Sequence, residues 1–306
     1  MPDLPETRVA LRGPYHLHQL DRLIVELQPL FRLRGRAVIT LDLSGLSFIG
    51  AGCLAVLVAS VKDLADQGIT GPGSAYINPK NWLVARYLKR MDFDRLLAHP
   101  IPPESFERRA ATDFCPCMAF QSDGQVVEVA MRLSEAMAAS CHLDARARSA
   151  VTCAVQEMAQ NVVQHAGLGT GVAVAQASRA HPAFELAIAD RGIGVRGSLL
   201  RSDRYSDVTS DADALELALQ YGVTSSHDGG GAGLFATRYL LGQNGGDFIL
   251  RSGTAKVHAS DAETSHPNLA PMPGTVVVLR ARADRPLELG EMLRALKGNG
   301  DAPLAA

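Results

Sequence analysis

The sequence predicts an α/β protein of two domains, the second an α/β sandwich in which helices cover a mixed sheet. Three observations carry this expectation. The first third alternates short β-rich runs with helical leucine periods. The remainder reads helix, helix, strand, strand, a long polar segment, then a helix and three strands. A chain of 306 residues with 47% apolar side chains can fill two cores.

Residues 21–34 place Leu23, Leu27 and Leu30 at helical spacing, 38–43 form a β-rich run, and 52–67 hold a second helical period that stops at Gly68. Gly71-Pro72-Gly73 marks a turn and 75–77 a short strand, after which Pro79, suited to a first helical turn, opens a helix to about Arg90. Residues 100–120 are rich in proline, charge and cysteine without clear periodicity and read as linker. The expected division is 1–99, a linker at 100–123, and a second domain at 124–300. In that domain 126–140 are helical, and Asp144 is an N-cap for a helix running to about Ala166, ended by Gly167, Gly169 and Gly171. Strands at 172–177 and 184–189 precede a polar segment, 197–230, with one short helix near Leu215. A helix at 232–241, strands at 247–252, 256–259 and 275–281, and a last helix at 287–296 complete the chain. No internal repeat is evident.

A net charge of −2 gives no electrostatic footprint for nucleic acid or an anionic membrane. No apolar run approaches the roughly 18 residues of a membrane span, and no signal-peptide pattern opens the chain. Five cysteines at irregular spacing suit a reducing compartment better than a disulfide framework. The expectation is a soluble, cytoplasmic protein. Cys115-Pro116-Cys117, with Cys141-His142 later, is too tightly spaced for a zinc pair and lacks a second pair, so free cysteines are expected.

The most informative stretch is Glu157-Met158-Ala159-Gln160-Asn161-Val162-Val163-Gln164-His165-Ala166. Four-residue spacing stacks Glu157, Asn161 and His165 on one helix face, a costly arrangement on a half-buried helix unless something polar needs it. The plain alternative is a satisfied polar pair on the helix. A second element, Asp190-Arg191-Gly192-Ile193-Gly194, follows an apolar strand; its carboxylate suits an exocyclic amine and its glycines let backbone approach a planar ligand. Alone, it reads more readily as a turn after a strand. A third, Asp228-Gly229-Gly230-Gly231-Ala232-Gly233-Leu234, opens a helix and exposes backbone N–H groups to an anion. Gly231 to Ala236 also fits a dinucleotide fingerprint, but the polar stretch before it is not the strand that fingerprint requires.

In this order, with Gly274-Thr275 opening a late strand, the boxes resemble the GHKL (Bergerat-fold) ATPases, which include gyrase-type, chaperone and mismatch-repair ATPases, histidine kinases and anti-sigma-factor serine kinases; the likeness covers about 126–283. The resemblance implies ATP and Mg²⁺ as cofactors. Asn161 would ligate the Mg²⁺ bridging the phosphates, and Glu157 would be the general base. Asp190 would bind the adenine amino group through a water, supported by Thr275. Gly192 and Gly194 would leave room for the base; Arg191 departs from the small or polar residues many relatives carry there, and a cationic contact is what it could add. Gly229, Gly231, Gly233 and Leu234 would form lid hinge and phosphate cradle, with 196–228 as the lid. His165 would contact ribose or phosphate, or hold the helix end.

Leu41-Asp42-Leu43-Ser44 through Phe48-Ile49-Gly50-Ala51-Gly52-Cys53-Leu54, with Ile77-Asn78-Pro79 and 91–97 later, is similar to the STAS fold of anti-anti-sigma factors over about 8–98. That family's acidic and phosphoacceptor positions fall on Gly50 and Gly52, which cannot accept phosphate, so docking is the role implied. The combined expectation is a Mg²⁺-dependent ATP-binding regulator, an anti-sigma-factor-like serine/threonine kinase or ATPase acting on a separate STAS-type or sigma-factor-like partner. A non-catalytic ATP-dependent switch is the alternative, and a homodimer stays open.

Overall fold

A computed structural model of the chain describes residues 4–98, 114–167, 170–178, 181–223, 233–260, 263–288 and 290. Strands β1 (Glu6–Tyr15) and β2 (Val38–Ile49) pair in parallel, joined by a 3₁₀ turn at Leu17–Gln19 and helices α1 (Leu20–Glu26) and α2 (Gln28–Phe31). The single helix expected over 21–34 is thus two, because Pro29 in the first turn of α2 has no N–H to continue the ladder of α1. Helix α3 (Ala51–Asp66) crosses back to β3 (Ala75–Ile77), completing a parallel three-stranded sheet of order β1-β2-β3. The next helix, α4 (Trp82–Arg90), begins later than Pro79 because Asn81 caps it, its Oδ1 accepting from the Leu83 N–H at 3.0 Å; α5 (Phe93–Ala98) follows.

The segment read as linker carries a strand, β4 (Phe114–Phe120), antiparallel to β5 (Gly171–Ala177). Its register breaks between Cys115 and Met118, where Pro116 can donate no ladder hydrogen bond, and an edge position tolerates this. Both cysteines are buried and form no disulfide. Helices α6 (Asp123–Cys141) and α7 (Ala145–His165) follow, α7 capped as expected by Asp144, which accepts from the Ala147 N–H at 2.8 Å. Next come β6 (Ala183–Ala189), α8 (Gly194–Leu199), a 3₁₀ turn at Asp203–Tyr205, α9 (Asp211–Ala218) and α10 (Gly233–Asn244). Strands β7 (Asp247–Gly253), β8 (Ala255–Ala259), β9 (Glu263–His266) and β10 (Met272–Arg282) close the described chain. The sheet order is β4-β5-β6-β10-β7-β8-β9, and its pairings are antiparallel among the described residues, not mixed as expected. The expected last helix lies outside the described residues except for its first positions, where Leu287 is buried.

Both faces of this sheet are covered. Ala173, Ala175, Leu186, Ile188, Leu250 and Val277 pack under α6, α7 and α10. Their neighbours Val172, Val174, Ala187, Ala189, Ile249, Val276 and Val278 share one core with the N-terminal module. Helix α3 lies across β5, β6 and β10 on that back face. Glu185, the one acid in β6, caps it there: its Oε1 accepts from the Gly52 N–H at 2.7 Å, where the helix dipole favours an anion. The fully buried Arg251 donates to the carbonyls of Gly253, Ala255 and Ala270 and pairs with Asp21 of α1 at 3.2 Å. The Tyr87 hydroxyl meets Gln176 at 3.2 Å.

Candidate functional site

On the front face, α7, the end of β6, α8, the start of α10 and the start of β10 surround one cavity of about 320 Å³, within the roughly 300–1,000 Å³ usual for small-molecule sites. Glu157, Asn161, His165, Asp190, Gly194, Gly233, Leu234 and Thr275 all line it. Residues from the helix, the strand-end acid and the glycine hinge, distant in sequence, therefore share one wall system. Gly192 stands just behind: a Cβ there would collide with the Ala166 carbonyl, and the Ile193 N–H donates to that same oxygen at 3.3 Å. The 190–194 turn is thereby fastened to the end of α7. Gly229 and Gly231 lie outside the described residues.

Asp190 is 5% exposed at the end of β6. Its Oδ1 accepts from the Gly192 N–H at 2.7 Å, and its own N–H donates to the Thr275 carbonyl at 2.9 Å. Burial nevertheless raises its pKa to about 7, against the lowering effect of backbone hydrogen bonds from Gly192 and Thr275, with the charge of Asp63 adding to the rise. The cavity floor beside it is apolar, built from Met158, Ile188, Leu250 and Val277. One carboxylate and one hydroxyl over an apolar floor suit a flat, amine-bearing ring.

Glu157 and Asn161 project from successive turns of α7. Among the described residues nothing hydrogen-bonds the Asn161 amide, although it is half-buried. Glu157 sits at the mouth, its pKa raised by partial desolvation. Gly233 packs directly against it, since a Cβ at 233 would lie 2.5 Å from Glu157 Oε2. His165 ends α7, and burial together with the nearby Arg201 charge lowers its pKa. Arg191 points away from the cavity, across the back face, contrary to the expected cationic contact with a ligand.

Two features were not legible beforehand. Ser252 on β7 is 3% exposed; its hydroxyl donates to the Gly274 carbonyl at 2.8 Å, accepts from the Val195 N–H at 3.0 Å and lies 3.3 Å from the Thr275 hydroxyl. It ties α8 to the start of β10, and a lone serine late in a strand announces none of this. The part of the expected lid that is described is also more structured than foreseen. α8, the 3₁₀ turn and α9 bury Leu199, Tyr205 and Ala214 together, and Val195, Leu199, Ala218 and Val223 face the cavity. Ser210 and Asp213 form a capping box at α9, and Asp211 accepts from the Thr254 N–H at 2.7 Å and from its hydroxyl at 2.8 Å.

No helix among the described residues is long and apolar enough to cross a membrane. No curated protein matches the chain. Residues 120–241, which hold every sequence-predicted site residue except Thr275, match the family model of the histidine kinase-like ATPase domain, a match that supports ATP binding and a regulatory role.

Proposed function

We propose that this protein binds ATP with Mg²⁺ in the front cavity and acts as an anti-sigma-factor-like serine/threonine kinase or ATPase on a separate protein partner. The observation that carries the reading is the convergence of Asn161, Glu157, Asp190 and Thr275 on one cavity with an apolar floor. Asp190, with Thr275 beside it, receives the adenine amino group, and Ile188, Leu250 and Val277 pack on the ring. The phosphates extend towards Asn161 and the N-terminus of α10, where first-turn backbone N–H groups and the helix dipole favour anions.

The donor set fits Mg²⁺ held jointly with phosphate. No cluster of three acidic, histidine or cysteine side chains suited to a metal occurs among the described residues, whereas Mg²⁺ commonly takes one or two protein oxygens plus substrate phosphates. The Asn161 carbonyl is the ligand the chain offers. When bound, the ion neutralises phosphate charge. Glu157, with its raised pKa, is suited to accept the proton of water or of a partner hydroxyl near neutral pH.

The N-terminal module, a parallel sheet with α3 after β2, is read as STAS-like and as a docking element rather than a phosphoacceptor. Its closeness to the cavity also favours a second reading, in which ATP occupancy changes a partner surface without chemistry. A γ-labelled ATP assay with candidate STAS-type partners separates these readings. Label on protein supports the kinase, free phosphate the ATPase, and neither supports the switch. The kinase and ATPase readings predict that Glu157→Ala removes turnover by about a hundredfold or more while nucleotide still binds; unchanged turnover would take Glu157 out of the base role. A cytoplasmic location and a homodimer belong to the same proposal.

A further inference from the structure

Two acids of α3, Asp63 and Asp66, contact from behind residues that adjoin the front-face site. Arg191, the middle residue of the Asp-x-Gly turn, reaches the back face, where Nη1 lies 3.5 Å from Asp63 Oδ2 and 3.3 Å from the Ser60 carbonyl. Its guanidinium stacks 5.1 Å from the Phe31 ring of α2, and both charged side chains are nearly buried. The contact is imperfect, since Arg191 Nε is buried without a partner. One turn further along α3, Asp66 binds the buried Lys62 and accepts from the Thr170 hydroxyl at 2.8 Å, just before β5. Gln121 donates to that hydroxyl at 2.6 Å. Helix α3 thus holds both the turn bearing Asp190, which is fastened to Ala166, and Thr170 just before β5.

We infer that docking of the N-terminal module and occupancy of the cavity are coupled, with Asp63 as a positioning residue that sets purine-nucleotide affinity through Arg191. Asp190 and Arg191 are consecutive, so a shift that tightens the Arg191–Asp63 contact is carried through the backbone to the carboxylate that faces the ligand. Coupling free energies are reciprocal: if α3 docking favours nucleotide, nucleotide favours α3 docking by the same factor. This rests on the proposed nucleotide site.

The test uses the full chain, ADP titrated calorimetrically, and backbone hydrogen exchange of α3. At about pH 9, where Asp190 is ionised with or without the Asp63 charge, Asp63→Asn keeps the side-chain shape but removes the charge, and ADP affinity is expected to fall about tenfold. Thr170→Val, which introduces no charge, should lower it less and in the same direction. ADP should slow exchange in α3 of the wild type and not of Asp63→Asn. Leu88→Ala is the control for general destabilisation: it opens the buried side of α4, which packs on β2 and α5, and affinity should stay within about twofold. Equal ADP affinity in a folded Asp63→Asn protein, or α3 exchange indifferent to ADP, overturns the coupling. So does an equal loss in Leu88→Ala. A wild type that binds no ADP is a separate result, and removes the nucleotide site and this inference together.

Discussion

Asp190 is the residue at which burial and ligand recognition oppose each other. A carboxylate accepts an amine hydrogen most strongly when ionised, yet burial brings the Asp190 pKa to about 7. Purine affinity should therefore fall as pH drops through that value, by up to about tenfold per unit below it. Adenosine is the suitable probe, because it carries no phosphate that titrates there; a flat affinity profile between about pH 6 and pH 8 would exclude an ionised Asp190 from recognition. The same shift bears on stability. The folded state holds this proton to about pH 7, while the unfolded chain releases it near 3.8, so stability declines as pH rises between them and stays low above. Asp190→Asn should then stabilise the ligand-free protein at about pH 8 by on the order of 1–3 kcal/mol, read as a raised thermal midpoint, while weakening nucleotide binding. A lowered midpoint would show that its hydrogen bonds outweigh its charge. Gly233 presents a second opposition. Gly233→Ala should displace Glu157 and reduce turnover more than binding, measurable as a fall in kcat with little change in KM.

At the scale of elements, α3 decides what the N-terminal module can do. Its first turn, bearing Gly50 and Gly52, faces Glu185 and Val278 rather than solvent; a Cβ at Gly52 would lie 2.9 Å from Val278 Cγ2. The positions that the proposed STAS-like reading aligns with a phosphoacceptor are therefore sealed as well as lacking a hydroxyl. Gly52→Ser should destabilise the chain by about 1–3 kcal/mol and remain unphosphorylated, read by denaturant unfolding and by label incorporation. A gain of label at residue 52 would contradict the sealed junction. What the sequence made visible here follows from physical cause. Helix α7 was legible because Asp144 caps it and its apolar positions recur at helical period, and the stripe of Glu157, Asn161 and His165 does face the cavity. β4 was hidden because Pro116 and its broken register erase alternation. α8 was hidden because six residues are too few to show a helical period. The true role of Arg191 could not be read, since its partner Asp63 lies far back in the chain, on a helix packed behind the turn.

For the whole molecule, the decisive feature is a sheet buried on both sides. Runs such as Val172 to Ala175 and Val276 to Leu279 are continuously apolar, which for an antiparallel sheet signals that neither face meets water. The N-terminal module thus shares its own core with the back face of this sheet, and a chain beginning at residue 114 should expose the row from Val172 to Val278 and self-associate. Sedimentation velocity checks this, and a monomeric, natively folded fragment would show that the module is dispensable. The central claim is that a purine triphosphate occupies the cavity between α7, Asp190 and α10. Its most direct test is a calorimetric titration of the intact chain with ATP and Mg²⁺, repeated on Asn161→Ala and Asp190→Asn. Saturable binding of one nucleotide per chain, weakened at least about tenfold in both variants, is the predicted result. No heat in the wild type, or affinities unaltered by either substitution, would contradict it.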